Sequence, residues 1–366
     1  MAIEFLYTPS EFYSRLLSLV GSAKNRVSIA TLYIGSGDME MKLLQTIQRL
    51  PNGVEVRFLV DGLRGNRKGG YSPIQFLREH CARAQVREYV SPHYAGFARL
   101  LPDRIREIVG TQHMKIVSVD DTVLITGANM SDIYFTNRQD RYMIIHDCHS
   151  LADDMHDIVR EFPNHATARQ RGNIDQETVV EFGTHRENEP DRVALDLLAR
   201  TPSDSVIRLC SPYLNLSRDL LHALSKFAHV EIIAGSANAN GFYKSKGLSG
   251  LIPEAYEILK EDIGNQISLF EYSRSGWTFH TKGIWISPAT CEMPRSTIIG
   301  SSNFSIRSHF RDTEISFAVK SSNPGVQESM RAELDDVLKY VRRSSPGQVK
   351  TPLLRYLVKG PLKTFL

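Results

Sequence analysis

The chain is poor in the features that would set it in a special class. Its four cysteines, Cys81, Cys148, Cys210 and Cys291, are scattered through 366 residues and form no C-x-x-C pair. The usual spacing of a structural zinc site is missing, a disulfide-stapled miniprotein is excluded, and a reducing compartment is the expectation. No apolar run approaches the ~18–20 residues of a membrane-spanning helix. The opening Met1-Ala2-Ile3-Glu4-Phe5 reads as neither a secretory signal nor an Arg/Ser-rich transit peptide. An excess of one charge is also lacking, since 44 Lys and Arg against 41 Asp and Glu leave only +3. That argues against a broad nucleic-acid groove and leaves room for a few cations clustered around an anionic substrate. What is present, 42% hydrophobic and 23% charged residues, is ordinary globular composition with length for about two domains.

Short β-like runs alternate with helical stretches, the pattern of an α/β protein. Thr8-Pro9-Ser10-Glu11 has the form of a capping box and opens a first helix. Strands are expected at 27–33, 54–60 and 86–90, a hairpin at 116–119 and 123–126, and a further strand at 142–145. The second half repeats the order: strands at 206–210, 230–234 and 267–270, a hairpin at 284–286 and 297–299, a strand at 314–319, and a charged helix at 328–342. Matched features keep a nearly constant offset: 180 between Tyr33 and Tyr213, 176 between Val54 and Val230, 174 between Asn129 and Asn303. A duplicated α/β unit accounts for this. The polar stretch 164–190 reads as the boundary, giving one half at 1–170, a second at 171–345, and a basic amphipathic segment at 346–366.

Of twelve histidines, only two have lysine two positions later: His113-Met114-Lys115 and His280-Thr281-Lys282. Each precedes a glycine-and-asparagine turn, Gly127-Ala128-Asn129 or Gly300-Ser301-Ser302-Asn303. An acid follows each asparagine by eleven positions, Asp140 in one half and Glu314 in the other. In extended chain, residues two apart share a face, so each half offers an imidazole, an ammonium, an amide and an acid on one small surface. Two halves facing each other would set two imidazoles on opposite sides of one phosphorus. One histidine would attack a phosphodiester and the other would handle the proton of the oxygen that leaves or enters. Lys115, Lys282, Asn129 and Asn303 would stabilise the non-bridging oxygens, and Asp140 and Glu314 would orient the rings. Fixed cations then take the part of a metal, so no metal or cofactor is called for.

These residues resemble the H-x-K-x4-D motifs of the phospholipase D superfamily. His113, Lys115 and Asp120 match the first copy in full, whereas Ser287 stands where the second aspartate would fall. Within the superfamily, Gly110 through His113, the runs from Gly127 to Asp132 and from Tyr134 to Tyr142, Gly276-Trp277-Thr278-Phe279-His280 and Asn303 through Asp312 resemble the eukaryotic phosphatidylglycerophosphate synthases. The resemblance implies a pseudo-dimer of two α/β/α halves, each with a mixed β-sheet, and an active site at their interface. It implies transfer from CDP-diacylglycerol to glycerol 3-phosphate, a place for Asp120 in the catalytic set beside the His/Lys/Asn residues, where this aspartate usually supports the motif structurally, and a mitochondrial location, on the matrix face of the inner membrane. His113 is the favoured nucleophile, with His280 as the alternative. Serine phosphatidyltransferase, cardiolipin synthase, phospholipase, nuclease and a non-enzymatic lipid-binding scaffold are the rival readings.

A transferase must hold its anionic acceptor and keep water out. Arg138, Arg141 and Arg311 adjoin the catalytic turns and are candidates for phosphate contacts, as is Lys244 in the second half. Tyr33, Tyr213, Ser131 and Ser305 complete the expected substrate-binding set, and the basic loop 62–70 is a further option. Two basic amphipathic segments, 97–108 and the C-terminus around Leu353, Leu357 and Phe365, are candidates for contact with an anionic membrane surface. No nucleic-acid partner is expected.

Overall fold

The computed structural model describes residues 2–65, 72–91, 110–164, 169–246, 250–264, 266–344, 352–360 and 362–363. The chain begins with β1 (Ile3–Leu6), α1 (Pro9–Gly21), β2 (Arg26–Thr31), α2 (Asp38–Gln48), β3 (Glu55–Asp61), α3 (Pro73–His80) and β4 (Ala84–Tyr89). The hairpin β5 (Ile116–Val119) and β6 (Thr122–Thr126) follows, then α4 (Asp132–Thr136), β7 (Arg138–Gln139), β8 (Tyr142–Ile145) and α5 (His149–Glu161). The capping box is formed: Thr8 Oγ1 accepts from the Glu11 N–H at 3.2 Å, and the Glu11 carboxylate accepts from the Thr8 N–H at 3.0 Å.

The second half runs β9 (Arg169–Asn173), β10 (Thr178–His185), α6 (Arg192–Ala199), β11 (Val206–Cys210), α7 (Arg218–Leu224) and β12 (His229–Gly235). Next come α8 (Ile252–Leu259), β13 (Ile267–Tyr272), β14 (Thr278–Phe279), the hairpin β15 (Gly283–Ser287) and β16 (Ser296–Gly300), and α9 (Ile306–Phe310). The described chain closes with β17 (Glu314–Ser321), α10 (Pro324–Leu338), β18 (Val341–Arg343) and α11 (Pro352–Lys359).

Strand order reveals the duplication directly. The first sheet runs β1-β8-β6-β5-β2-β3-β4, and the second contains β10-β17-β16-β15-β11-β12-β13, the same path strand for strand. Each is mixed: the β2-β3-β4 side is parallel, as is β11-β12-β13, and the remaining pairs of that path are antiparallel. β18 and β9 extend the two edges of the second sheet.

Apolar residues alternate along the strands and fill three cores. One lies between the first sheet and α1–α3, another between the second sheet and α6–α8. The largest is shared: α5 and α10 contribute Met155, Ile158, Met330 and Leu334, while both sheets turn Ile125, Met143, Trp285 and Phe317 inward. The halves are therefore fused through a common core.

Three sequence expectations change. The helix expected at 328–342 starts and ends four residues earlier. Asn323 caps it by accepting the Val326 N–H, and Val341 pairs with Tyr272 as a strand instead. The stretch read as a boundary carries β9 and β10, whose inward Val180 and Phe182 lie among polar neighbours that hid the strand pattern. The C-terminal segment docks on α8 through buried Leu354 and Val358, and its cations are taken up locally: Arg355 and Lys359 pair with Glu261, Lys363 with Asp262. The amphipathic segment 97–108, part of the basic loop 62–70 and Phe365 lie outside the described residues.

Candidate active site

Each histidine arrives on a short extended segment that pairs with the opposite half. Gln112 bridges Thr313 in parallel, and the His113 N–H donates to Thr313 O at 2.8 Å. β14, just before His280, pairs in parallel with β7, and the His280 N–H donates to Gln139 O at 2.8 Å. The residue after Thr313 is Glu314, and the residue after Gln139 is Asp140. Main-chain pairing thus carries each half's acid to the other half's imidazole. Nδ1 of His113 lies 2.8 Å from Glu314 Oε1, and Nδ1 of His280 lies 2.7 Å from Asp140 Oδ2. The sequence reading grouped each acid with the histidine of its own half; the pairs are crossed.

The lysines complete the seam. Lys115 Nζ donates to His113 O at 2.6 Å and Lys282 Nζ to His280 O at 2.7 Å, so each folds back onto its own motif. Lys282 Nζ also stands 2.8 Å from His280 Nδ1 and 3.6 Å from Asp140. Gly127 makes this approach feasible, because a Cβ there would stand 2.5 Å from Asp140 Oδ1 and 2.8 Å from Lys282 Nζ.

Burial governs the electrostatics. It pushes both imidazoles well below the ordinary histidine range, with Lys115 the next cause at His113 and Lys282 at His280. Both rings are therefore neutral at neutral pH. Burial also lowers Lys115 to about 7 and Lys282 to about 8, against the pull of Glu314 and Asp140 respectively. It raises both acids, while Lys115 acts in the opposite sense on Glu314 and Lys282 on Asp140.

Tyr134 was missed as a site residue. Its hydroxyl accepts from Asn129 Nδ2 at 3.1 Å and stands 3.3 Å from His280 Nε2, with the two rings edge to face. Asn129 can only donate through that nitrogen, so the Tyr134 proton is free for Nε2. A ring proton on Nδ1, facing Asp140, fits that arrangement. The equivalent position of the second half, five beyond Asn303, is Ser308, which accepts the Asn303 N–H instead. Among the described residues, His113 Nε2 has no hydrogen-bond partner. The repeat is thus asymmetric at the imidazole Nε2, a signal legible only after superposing the two asparagine turns. Asp312 was missed too: it binds the N–H and hydroxyl of Thr111 and the guanidinium of Arg307, bracing the approach to His113. Buried side-chain oxygens without a hydrogen-bond partner, Gln112 Oε1, Asn129 Oδ1, Thr281 Oγ1 and Asn303 Oδ1, lie near the seam.

The expected substrate residues divide. Arg138 lies at the seam, its guanidinium 4.5 Å over the Tyr134 ring and bonded to Thr278. Tyr213 stacks on Tyr256 and meets the His280 ring edge-on, and the Tyr33 hydroxyl reaches Ser131 at 3.5 Å. Arg141 is not a phosphate ligand. It is buried against Trp285, bidentate to Glu333, and bonded to Ile298 O and Thr297, so it ties the first half to the second. Ser305 spends its hydroxyl capping α9, accepting the Ser308 N–H. Lys244 is exposed on a turn with its ammonium over the Tyr243 ring, and Arg311 caps the end of α9 half-buried beside Asp312. Asp120 is not catalytic in position: at the β5–β6 turn it accepts the backbone N–H groups of Lys24, Asn25 and Arg26, bracing the start of β2.

Comparison with known proteins bears on these features. Residues 16–164 match the family model described as cardiolipin synthase, phospholipase D-like domain. A Dictyostelium discoideum protein named as a probable CDP-diacylglycerol–glycerol-3-phosphate 3-phosphatidyltransferase is 30% identical over 90% of this chain and 71% of its own length. The chain belongs to this phosphatidyltransferase family. The human mitochondrial member is 28% identical, with 92% of this chain and 77% of its own length covered, and the Saccharomyces cerevisiae member 29%, with 93% and 82%. Among solved structures, phosphatidylserine synthase of Haemophilus influenzae superposes over 100% of this chain and 95% of its own, with a TM-score of 0.76 at 21% identity. That likeness establishes the phospholipase D-like fold, two mixed sheets with helices on their faces.

Proposed function

We propose that this family member transfers the phosphatidyl group of CDP-diacylglycerol to glycerol 3-phosphate, releasing CMP and phosphatidylglycerophosphate. The observation that carries this reading is the seam itself: two imidazoles from two halves, each bonded through Nδ1 to an acid of the other half. Such a hydrogen bond leaves the Nε2 lone pair of a neutral ring as the reactive atom.

In the first displacement His113 Nε2 attacks the phosphorus that bears diacylglycerol. An N–P bond forms as the P–O bond to CMP breaks, and CMP departs as a phosphate monoester anion. Glu314 meets the positive charge that develops on the His113 ring. In the second, a hydroxyl of glycerol 3-phosphate attacks, its proton passes to His280 Nε2, and the N–P bond breaks to restore His113. His280 then yields that proton to water. Lys115, Lys282, Asn129 and Asn303 face the non-bridging oxygens in both steps. The asymmetry at Nε2 supports this division of labour: Tyr134 already engages His280 there, whereas His113 is open. Arg138 is the candidate contact for the acceptor's phosphate.

A peripheral membrane contact, at the matrix face of the mitochondrial inner membrane, belongs to the same proposal. No described helix is long and apolar enough to cross a membrane. Leu353 and Tyr356 stand 68% and 73% exposed on α11 and Leu362 38%, an apolar outer face beside cations already engaged by Glu261 and Asp262. The function is tested by supplying purified protein with CDP-diacylglycerol and glycerol 3-phosphate, serine, glycerol or water. CMP release that requires glycerol 3-phosphate is the expected result; release with serine alone overturns the reading.

A further inference from the structure

A second cavity, of about 470 Å³, opens on the outer face of the second sheet, at the strand ends remote from the catalytic seam. Its floor follows from strand alternation. Val180, Phe182, Trp285, Phe317 and Val319 face the shared core. Their neighbours Val179, Glu181, Ile286, Ala318 and Lys320 face outward into this cavity. Register aligns them across four strands: Ile286 opposes Ser296, Ser296 opposes Lys320, and Lys320 opposes Val179. Glu181 opposes both Ala318 and Arg171. The walls are the end of α6 with the turn 200–205 and the loop 288–295.

Four cations from separate elements surround the apolar floor: Arg171, Arg200, Arg295 and Lys320. Arg200 is bonded to Glu181 at 2.7 Å. Arg171, Arg295 and Lys320 have no side-chain hydrogen bond or ion pair with any described residue, and Asp204 is the only other acid in the lining. Unneutralised cations gathered around apolar side chains, in a space of ligand size, are arranged for an anion with an apolar portion. Lys320 lies six residues along β17 from Glu314, about 20 Å in extended chain, so this cavity is separate from the catalytic site.

We infer that this cavity is a second binding site, for a phosphate ester that carries an apolar part. Its phosphate would lie among Arg171, Arg295 and Lys320 and its apolar part on Val179, Ile286 and Ala318. A mononucleotide and a phospholipid headgroup share that chemistry, and CMP and dihexanoyl phosphatidylglycerol below its micelle concentration are the probes that separate them.

The readout is phenylglyoxal modification of individual arginines, followed by mass spectrometry of the full chain. At millimolar probe, modification of Arg171 and Arg295 should fall at least fivefold while exposed Arg218 is unchanged. Protection by CMP alone identifies a nucleotide site, by the lipid alone a headgroup site, and by both a site that reads the phosphate. The double variant R295Q/K320Q should lose the protection of Arg171 and keep phosphatidyl transfer within twofold of the parent. Failure of both probes to protect, or protection that survives in the variant, overturns the proposal. Because occupancy is read at named arginines rather than as CMP release, this outcome is independent of the reaction proposed above.

Discussion

His113 and Glu314 are 201 positions apart in the chain, yet the imidazole Nδ1 and the carboxylate are separated by 2.8 Å. The bond crosses from one half to the other, and His280 with Asp140 repeats it in the reverse direction. Neither half holds a complete site. This crossing is why a duplicated fold yields one centre rather than two.

Replacing either acid should separate the two chemical steps. Glu314→Gln removes the charge that supports attack by His113 and should slow the first burst of CMP by about 10³-fold, within the range for losing an orienting acid. Asp140→Asn should leave that burst within about tenfold while slowing transfer to glycerol 3-phosphate by a similar 10³-fold. Rapid-quench measurement of CMP and lipid product reads both. Equal slowing of both steps in both variants would mean the acids serve only the fold.

Tyr134→Phe keeps the ring against His280 and deletes the hydroxyl. Acceptor transfer should fall by about tenfold, the cost of one hydrogen bond to a reacting group, with the CMP burst preserved. A burst that falls in parallel would contradict the asymmetric use of the two histidines.

The pH profile follows from burial. Both imidazoles are pushed well below the usual range, so no histidine limb should appear near 6.5, and a fall of kcat/KM on the acid side should report the raised carboxyls of Glu314 and Asp140. The proposed mechanism uses the lysines in their charged form, and they lie at about 7 and about 8, so activity should decline as pH rises through that window. Lys115→Arg, at reduced rate, should move the start of that decline upward, since guanidinium keeps its proton. The lysines face each other's partners, so the limb belongs to the coupled pair. A profile that rises between pH 7 and 8.5 would refute the requirement for ammonium.

Arg141 and Glu333 join the halves without touching the chemistry. Glu333→Ala leaves a buried guanidinium uncompensated and should cost about 3–5 kcal/mol in urea unfolding. Arg141→Met combined with Glu333→Leu should recover most of it. A loss below 1 kcal/mol for the single variant would show that the pair is relaxed by solvent.

Much of this was legible in the sequence. Strand alternation and the near-constant offset revealed two equivalent sheets, and the two H-x-K motifs marked the seam. What escaped depends on docking between distant segments. The spacing of eleven residues from Asn129 to Asp140 and from Asn303 to Glu314 invited pairing within each half. Only the parallel bridges at Thr313 and Gln139 carry the acids across. Arg138 and Arg141 look alike in sequence, but Arg138 lies over Tyr134 at the seam while Arg141 is aligned with Trp285 and Glu333 in the shared core. Asp120 fits the catalytic motif by spacing, yet its turn directs it to the backbone of Lys24–Arg26.

Whether the two imidazoles act in sequence on one phosphorus is tested most directly by trapping the intermediate. Protein mixed with CDP-diacylglycerol labelled in the phosphatidyl phosphorus, without acceptor, is quenched in alkali and mapped by peptide. Label on His113, retained and accumulating in His280→Ala and absent from His113→Ala, is the result predicted. Label on His280, or a full complement of adduct in His113→Ala, would contradict it.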